Sequence, residues 1–404
     1  MTDATPVSDR RNDLDWIRVG AFFLLILYHV GMFYVPWDWH VKSPHPIEWL
    51  EPVMQLTNPW RLTLLFLVSG AATRFMADKL SAGALAGQRL WRLLPPLVFA
   101  MFVIVPPQSY YEVVEQLGYA GGYVDFWPAY VTASGNWCQG DDCLITPTWN
   151  HMWFVAYLIF YTLVLAVLLW VARKPLVVLG DWLGRTLSGW RLLLLPIVWL
   201  AFCRIVLMPR FEITHAFGGD WYNHAMSFAA FLLGFLVAKS ETFRAATIRL
   251  RWPALALAVG AWAAWATYAW IYRDGAAPPE ALRQTMRVVY ATDQWCAILA
   301  VLGFGARHLT RGGPALTYLT LAVFPFYIVH QTVIVVAAYH LSKLGLNQAL
   351  EGALVIALTF AACFATYEIV RRVAVLRPLF GLKLAADGAA IRAAWRRRRP
   401  ASPA

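Results

Sequence analysis

Histidine and arginine side chains inside apolar stretches are the residues of this chain best suited to chemistry. His29, Arg204 and His330 lie within such stretches, and Arg61 and His151 begin two others. Ionisable residues are costly inside a membrane and are usually functional there. Each also has a structural explanation, because a lone histidine in an apolar helix is more often a hydrogen-bonded packing residue. Together they favour a site at which these side chains converge.

The spacing of Arg18 and His29 places both side chains on one face of a helix. They are eleven residues apart, which is three turns plus about 20° at about 100° per residue. His29 then lies about 16 Å along the helix from Arg18. Asp15, one turn before Arg18, is placed to orient it. A helix face with Arg18 at one end and His29 at the other suits a long substrate with a charged head and a reactive far end. An arginine at the membrane edge and an unrelated histidine would show the same spacing.

Arg89 and Arg92 lie one helical turn apart, just before Pro95 and Pro96. Guanidinium groups suit phosphate because their fork of N–H donors matches its oxygens. The pair therefore predicts a phosphate-binding position. Taken alone, membrane topology and contact with lipid head groups explain basic residues in this segment slightly better than phosphate binding does, so both explanations remain open.

The composition requires a membrane to hold these residues. Of 404 residues, 60% are hydrophobic and 14% are charged, whereas soluble proteins carry roughly 25% charged residues. Apolar stretches of about 20 residues, enough to cross a hydrocarbon core of about 30 Å, recur along the chain. We predict an all-α polytopic membrane protein with about ten transmembrane helices. They are placed near residues 17–36, 58–76, 92–108, 151–171, 191–208, 222–238, 253–272, 290–306, 315–339 and 350–371.

The distribution of lysine and arginine predicts the orientation, because cytoplasmic connectors are enriched in these residues. One alternate set of connectors holds most of the lysines and arginines, and the other set is sparse in them. The longest loop, 108–150, belongs to the sparse set, has no lysine or arginine and contains five acidic residues. This loop is therefore predicted outside, and both chain ends in the cytoplasm. His29 and His330 then lie in the outer half of the membrane.

The predicted organisation is a cytoplasmic segment, 1–15, one transmembrane domain, 16–375, and a basic cytoplasmic tail, 376–404. No cleavable signal peptide is expected, because a polar segment precedes the first apolar run and no small-residue cleavage site follows it. The net charge of +11 comes mainly from the topology and the arginine run at 396–399, which is expected against anionic lipid. Nucleic acid is therefore not an expected partner, and any chemistry must lie among the helices.

The cysteines fall into two groups. Cys138 and Cys143 share the outer loop, where they form either a disulfide, which needs an oxidising compartment, or two free thiols. Cys203, Cys296 and Cys363 lie in apolar runs. These three are expected to be small buried side chains.

The order and spacing of several short motifs resemble the acyltransferase-3 superfamily of membrane acyltransferases. The motifs are Leu14-Asp15-Trp16-Ile17-Arg18 with His29, Phe66-Leu67-Val68-Ser69-Gly70, Arg89-Leu90-Trp91-Arg92, His151-Met152-Trp153-Phe154 and Phe326-Tyr327-Ile328-Val329-His330-Gln331. Within the superfamily, three segments resemble the succinyltransferases that modify osmoregulated periplasmic glucans. They are Trp39-His40-Val41-Lys42-Ser43, the Arg61 segment and Tyr367-Glu368-Ile369. Ala71 stands where the superfamily usually has phenylalanine after Ser-Gly, which leaves the role of that turn open.

The resemblance implies an O-acyltransferase of the bacterial inner membrane, with cytoplasmic acyl-CoA as donor and a periplasmic or envelope glycan as acceptor. It also implies roles for Arg18 and His29. We predict His29 as general base, since imidazole titrates near neutral pH. The predicted sites are the catalytic residues His29, Arg18 and Asp15, the donor-binding residues Arg89, Arg92 and Ser69, and the acyl or acceptor pocket of Arg61, His151, Arg204 and His330.

The acyl group and the route of transfer stay open on these residues alone. A succinyl group carries a carboxylate that needs a cation in a low-dielectric site, which Arg61 and Arg204 would supply, whereas an acetyl group does not. Direct transfer and a covalent acyl-enzyme are both compatible with the residues. No permanently bound cofactor and no metal are expected. The alternative functions are a transporter or flippase for a glycan or lipid-linked sugar, although no repeat halves are evident, and an inactive scaffold.

Overall fold

The computed structural model describes residues 11–140 and 142–384. The predicted basic anchors Arg10 and 396–399 lie outside the described residues. The described chain is helical apart from its connectors and one two-stranded antiparallel hairpin. The predicted all-α membrane fold is confirmed.

Long helices joined by short connectors make up most of the described chain. In chain order, the α-helices are α1 Asn12–Tyr34, α2 Glu51–Gln55, α3 Arg61–Ala77, α4 Ala82–Phe99, α5 Pro106–Leu117, α6 Tyr123–Val131, α7 Trp153–Thr186, α8 Trp190–Phe202, α9 Trp221–Val237, α10 Glu241–Ile271, α11 Glu280–His308, α12 Pro314–Leu341 and α13 Gln348–Val370. Short 3₁₀ turns cover Glu48–Leu50, Asn150–Met152, Ser342–Leu344 and Pro378–Phe380, and π-helical turns cover Ala100–Ile104 and Cys203–Leu207. The strands are β1 Cys138–Gln139 and β2 Asp142–Cys143.

Within the described residues, eight helical segments are long and apolar enough to cross a membrane. They are Asn12–Tyr34, Ala82–Leu117, Asn150–Thr186, Trp190–Leu207, Glu241–Ile271, Glu280–His308, Pro314–Leu344 and Gln348–Val370. The two other predicted spans fall on α3 and α9, which have 17 residues each. That length is at the lower limit for crossing a hydrocarbon core. A multi-span protein is therefore confirmed, and the count of ten stays a prediction.

The two ends of the bundle differ in charge. Basic connectors meet at one end, where Arg11 Nη1 donates to the Ala238 carbonyl at 3.2 Å. The acidic loop packs over α12 at the other end, where the Tyr111 hydroxyl bonds to His340 Nε2 at 2.8 Å. This separation agrees with the predicted orientation, although which end faces the cytoplasm stays a prediction.

Four helices extend well beyond their predicted spans: α4, α7, α10 and α11. Helix α10 begins at Glu241 rather than residue 253, and α11 begins at Glu280 rather than residue 290. The third span was predicted from residue 92, but α4 begins at Ala82, where the Ser81 hydroxyl caps the helix by accepting from the Ala84 amide at 3.3 Å. The prolines at 95 and 96 lie inside this helix and do not end it. The fourth span was predicted to end at 171, but α7 continues to Thr186 after a break at Ala172, whose φ of −140° and ψ of 35° are not helical.

Helices α3 and α9 pack backbone to backbone through two glycines. A Cβ added at Gly70 would lie 1.8 Å from the Phe231 carbonyl oxygen, and one added at Gly234 would lie 1.9 Å from that of Leu67. The Ser-Gly segment is therefore the middle of a helix, as the predicted span 58–76 requires, and not a turn. Gly70 serves close helix contact there, and Ala71, 3% exposed, fills a small packing position.

The loop between α4 and α7 folds into a compact cap on the end of the bundle opposite the basic connectors. Its helices α5 and α6 pack around the buried side chains Val113, Phe126, Tyr130 and Trp137. Cys138 and Cys143 form a disulfide, which decides between the two states considered for this pair. Cys203, Cys296 and Cys363 are free and buried, as predicted.

The beginning of the predicted tail packs on the bundle. Phe380 is buried, and its ring lies 5.5 Å from that of Phe99 on α4. Arg377 is 2% exposed. Helix α1 begins at Asn12 and packing on the bundle continues to Leu382, which is 6% exposed, so the packed region passes both predicted domain boundaries. Residues 385–404 lie outside the described residues.

Candidate active site

Three histidines meet at the end of the bundle that carries the acidic loop. His29 lies on α1, His330 on α12, and His151 in the 3₁₀ turn before α7. The His29 and His330 rings stack, with centroids 5.1 Å apart and planes at 10°. The His151 ring meets that of His330 edge-on at 5.2 Å. The structure thus brings together three residues that the sequence places in separate spans.

His29 and His330 share a hydrogen bond between ring nitrogens. His29 Nδ1 lies 2.9 Å from His330 Nε2, and His330 Nδ1 donates to the Tyr327 carbonyl at 2.7 Å. His330 is fully buried, with 0% exposure, whereas His29 is half-buried. His29 is therefore the ring of this pair that can contact a substrate.

His151 is tied to α12 through Nε2 and its backbone carbonyl, and to α5 through Nδ1. Its Nε2 bonds to the Ile328 carbonyl at 3.1 Å, and its Nδ1 lies 3.4 Å from the Gln108 amide nitrogen. The Tyr327 hydroxyl donates to the His151 carbonyl. Because a carbonyl only accepts, His151 Nε2 carries its proton. This histidine braces the start of α7 against α12.

A histidine–carboxylate pair beside these rings was not predicted as part of the site. His40 Nδ1 lies 2.5 Å from Glu112 Oε2, and the Gln331 amide lies 2.9 Å from His40 Nε2. The neighbouring Trp39 ring stacks over His29 with centroids 6.5 Å apart. Two signals pointed to this region: the Trp39-His40 motif, and Glu112 in an outer loop without basic residues. Neither signal showed that the side chains of His40 and Glu112 would form a pair.

Arg61 begins α3 and is nearly buried, at 6% exposure. Its guanidinium carbon lies 3.3 Å from the Tyr28 ring centroid, and Nη1 donates to Asn58 Oδ1 at 2.9 Å. The Tyr28 hydroxyl donates to the same oxygen at 3.1 Å. Arg61 Nε has no hydrogen-bond partner among the described residues.

Arg204 lies in the π-helical turn after α8, with 8% exposure. Its guanidinium carbon is 3.3 Å from the Tyr290 ring centroid, and Nη1 donates to the Tyr222 hydroxyl at 3.1 Å. Tyr290 also lies within electrostatic range of Arg61, so the two arginines belong to one cluster. Within the described part of the chain, neither has a carboxylate partner. Buried cations without a counter-charge are costly, and this arrangement suits an anionic ligand.

At the basic end, Arg18 joins α1 to α12. Its Nη2 lies 3.5 Å from Asp15 Oδ1 and donates to the Thr320 carbonyl at 3.5 Å. Arg18 and His29 therefore both contact α12, so they share a face of α1 as the eleven-residue spacing predicts. Asp15 is the ion-pair partner of Arg18, in the position expected for orienting it.

A cavity of about 610 Å³ opens between α1 and α3 beside Arg18. Its lining includes the basic side chains of Arg11, Arg18, Lys79 and Lys239 together with the carboxylates Asp15 and Asp78. Val68 and Ala72, which flank the Ser69 segment on α3, form its apolar wall. The cavity is large enough to admit part of a long charged ligand at the basic end.

The predicted donor-binding arginines lie on α4 close to this end. Arg89 Nη2 donates to Thr73 Oγ1 on α3 at 2.5 Å, and the Arg89 charge lies within electrostatic range of Arg92 and Arg18. Arg92 is exposed, and its Nε donates to the Gly381 carbonyl at 3.2 Å. Ser69 is half-buried one turn before Thr73 on α3. Arg18, Arg89 and Arg92 thus form one positively charged region.

The connector between α8 and α9 covers the start of α7. The His215 ring stacks on Trp153 with centroids 4.0 Å apart, and the His215 carbonyl accepts from Trp149 Nε1 at 2.8 Å. Burial lowers the pKa of His215 to about 4, although the Asp220 carboxylate opposes the shift. His215 is therefore neutral near pH 7, which suits a packing role.

Comparison with known proteins gives a family and several distant relatives. A family model of the acyltransferase-3 type, described as an acyltransferase domain, matches residues 11–368. Glucans biosynthesis protein C of Escherichia coli O1:K1 / APEC and that of Escherichia coli O157:H7 (strain EC4115 / EHEC) are each 24% identical over 170 residues. The alignments cover 41% of this chain and 40% of each relative, so the chain spans about two fifths of the length of the curated relatives it matches. No solved structure matches the protein significantly.

Proposed function

Because the protein belongs to the acyltransferase-3 family, we propose that it transfers an acyl group from cytoplasmic acyl-CoA to a hydroxyl of a periplasmic or envelope glycan. The observation that carries this proposal is the alignment of the positive cavity and His29 along one helix interface. Arg18 at the cavity and His29 at the far end both contact α12. A donor with a polyphosphate head and a distant thioester fits that arrangement.

The interface of α1 and α12 provides the path between the two ends. The helices run parallel, since Arg18 meets Thr320 and His29 meets His330. The distance along α1 between these contacts is about 16 Å at about 1.5 Å per residue. The donor's nucleotide end would lie at Arg18, Arg89 and Arg92, where guanidinium groups suit phosphate. Its thioester would reach toward His29.

His29 would act as general base in a direct transfer. The glycan hydroxyl oxygen attacks the thioester carbonyl carbon as its proton passes to His29. The carbon–sulfur bond then breaks, and the departing sulfur takes the proton from His29. Each cycle forms one ester and one thiol and returns His29 to its neutral state. A positioned base of this kind contributes about 10² to 10⁴ in rate.

The acyl group that the cluster at Arg61 and Arg204 favours is a dicarboxylic one such as succinyl. Its free carboxylate would supply the counter-charge that these arginines lack among the described residues. An acetyl group would leave both cations unpaired. The name of the similar Escherichia coli protein, Glucans biosynthesis protein C, supports a glucan as acceptor. The long apolar helices, together with the bacterial source of that relative, support the bacterial inner membrane as location. The chemistry of this transfer needs acyl-CoA as a co-substrate and no resident cofactor.

Mass spectrometry of envelope glycans tests this function. Cells with the wild-type protein are expected to carry glycans with an added acyl mass, which identifies the group, and cells without the protein should lack it. The His29→Ala protein should insert in the membrane and leave the glycans unmodified. His308→Ala, which changes an exposed histidine at the basic end, is the matched control and should acylate normally. Normal acylation by His29→Ala would exclude His29 as the base, and altered glycan amounts without a mass change would favour a transporter.

A further inference from the structure

The ring of His330 lies directly behind that of His29 and is shielded from solvent. It is 0% exposed, so it cannot itself touch a glycan. Its two nitrogens are both engaged, Nε2 with His29 Nδ1 at 2.9 Å and Nδ1 with the Tyr327 carbonyl at 2.7 Å. The second contact is local, since Tyr327 is three residues earlier on the same helix.

These contacts determine which nitrogen of each ring carries a proton. A carbonyl oxygen can only accept, so His330 Nδ1 is protonated. Neutral His330 then has its lone pair on Nε2, which makes His29 Nδ1 the donor of the shared hydrogen bond. His29 is consequently protonated on Nδ1, and its own lone pair is on Nε2. The Tyr327 carbonyl thus sets the tautomer of His29 through His330.

The neighbouring histidine does not compete for this role. His151 directs Nε2 to the Ile328 carbonyl and Nδ1 to the Gln108 amide, at 3.1 Å and 3.4 Å, and meets His330 only edge-on. A carboxylate behind His29 would add a charge within a membrane span, which is costly. A neutral imidazole offers an acceptor without that charge.

We propose that His330 is the positioning residue of the acyl transfer, holding His29 in the tautomer that presents the Nε2 lone pair to the acceptor hydroxyl. The inference rests on the proposed function of His29 as base. When His29 takes the hydroxyl proton, its Nδ1–H donates more strongly to His330 and stabilises the imidazolium. The proton then leaves from His29 Nε2 to the departing sulfur. His330 ends the cycle with the proton it began with.

Two substitutions at His330 separate positioning from packing. His330→Phe keeps a ring of similar size but removes the acceptor, so kcat should fall by at least about tenfold. The loss should not exceed the about 10² to 10⁴ that a positioned base contributes. His330→Gln offers an amide oxygen to His29 Nδ1 and should recover most of kcat. His340→Gln, on the same helix and exposed, is the control and should match wild type. The assay uses protein in nanodiscs with succinyl-CoA or acetyl-CoA and a gluco-oligosaccharide.

Nitrogen-15 NMR of the labelled histidines checks the tautomer independently of turnover. The His29 signals, identified by their loss in His29→Asn, should report a proton on Nδ1 in wild type and in His330→Gln, and a mixture of tautomers in His330→Phe. Equal losses of kcat in both His330 variants, or wild-type kcat in His330→Phe, would overturn the proposal. So would a wild-type His29 protonated on Nε2. The Nδ1–H tautomer in a protein that transfers neither acyl group would instead refute the proposed function while the geometry stands.

Discussion

Arg61 and Arg204 are nearly buried cations whose partners in the described structure are aromatic rings, phenols and an amide. Cation–π contacts recover part of the desolvation cost, about 0.5 to 2 kcal/mol each, which is less than a carboxylate partner would supply. Tyr290 lies against Arg204 and near Arg61, so the two arginines form one buried positive cluster. In the proposed function, this cluster would select the acyl group by its charge.

Arg204→Gln should therefore discriminate between donors. With succinyl-CoA the rate should fall about ten- to a hundredfold, since a charge-assisted bond contributes about 1.5 to 3 kcal/mol and about 1.4 kcal/mol is a decade. With acetyl-CoA it should hardly change. The measurement is kcat/KM for both donors in nanodiscs. Arg210→Gln, an exposed arginine six residues later, is the control, and equal losses for both donors would remove Arg204 from the acyl pocket.

The sequence predicts some of the contacts between the site residues and not others. Helical spacing alone places Arg18 and His29 on one face, because the partners lie on one helix. The pairing of His40 with Glu112 joins positions 72 residues apart, and His29 with His330 joins positions 301 apart. No local pattern encodes such contacts, since they depend on how whole helices pack. The apolar stretches show that these side chains are buried but not which of them meet.

At the scale of elements, α3 and α9 approach closely because neither has a side chain at the crossing. Small residues let membrane helices pack tightly where no hydrophobic force drives them together. This contact places Val68 and Ala72 of α3 against the positive cavity, and Arg61 of the same helix at the histidine end. The Ser-Gly motif is thus a packing device that fixes both ends of α3.

Gly70→Ala should destabilise the protein. The added Cβ would lie 1.8 Å from a backbone carbonyl oxygen, so α3 and α9 must separate, and overpacking of this kind costs about 1 to 3 kcal/mol. Gly87→Ala on α4 is the matched control, because nothing lies within 4 Å of its added Cβ. Thermal unfolding in detergent should show a lower Tm for Gly70→Ala and an unchanged or slightly higher Tm for Gly87→Ala. Equal Tm values for wild type and Gly70→Ala would mean that the two helices separate without cost.

The sequence predicts that a helix is present better than it predicts the residues at which the helix begins and ends. Hydropathy locates a helix by its membrane-crossing part, so it misses polar extensions such as the first turns of α4, where Ser81 caps the helix well before the predicted start. The Pro pair lies inside α4, as the predicted span 92–108 already requires. As a consequence Arg89 and Arg92 lie within a rigid helix, where their spacing is fixed, rather than in a connector.

For the whole molecule, the bundle separates a positive cavity at one end from a histidine cluster at the other. In the proposed orientation the donor and the acceptor never share a compartment. Only the acyl arm of the donor needs to pass between α1 and α12. The disulfide of Cys138 and Cys143 lies in the cap at the histidine end, which supports placing that end in an oxidising compartment.

Replacing both Arg89 and Arg92 with Gln tests this separation. Donor KM should rise at least about tenfold, because two charge-assisted contacts of about 1.5 to 3 kcal/mol each are lost. Lys replacements should recover part of the affinity, since an ammonium keeps the charge but lacks the planar fork. The acceptor KM should stay constant, because the glycan binds at the other end. The measurement is donor and acceptor titration in nanodiscs at fixed salt.

The control for this pair is Arg185→Gln with Arg249→Gln, which removes the same charge from two exposed arginines in other connectors predicted to be cytoplasmic. If this control raises donor KM as much, general attraction of an anionic donor to the basic end explains the effect, and α4 has no specific part in it. If neither double variant changes donor KM, the arginines of α4 serve topology alone, and the phosphates must lie in the cavity beside Arg18, on Lys79 or Lys239. A rise confined to the α4 variant, with acceptor KM unchanged, requires a donor site on α4 that is separate from the acceptor site, as acyl transfer across the membrane demands.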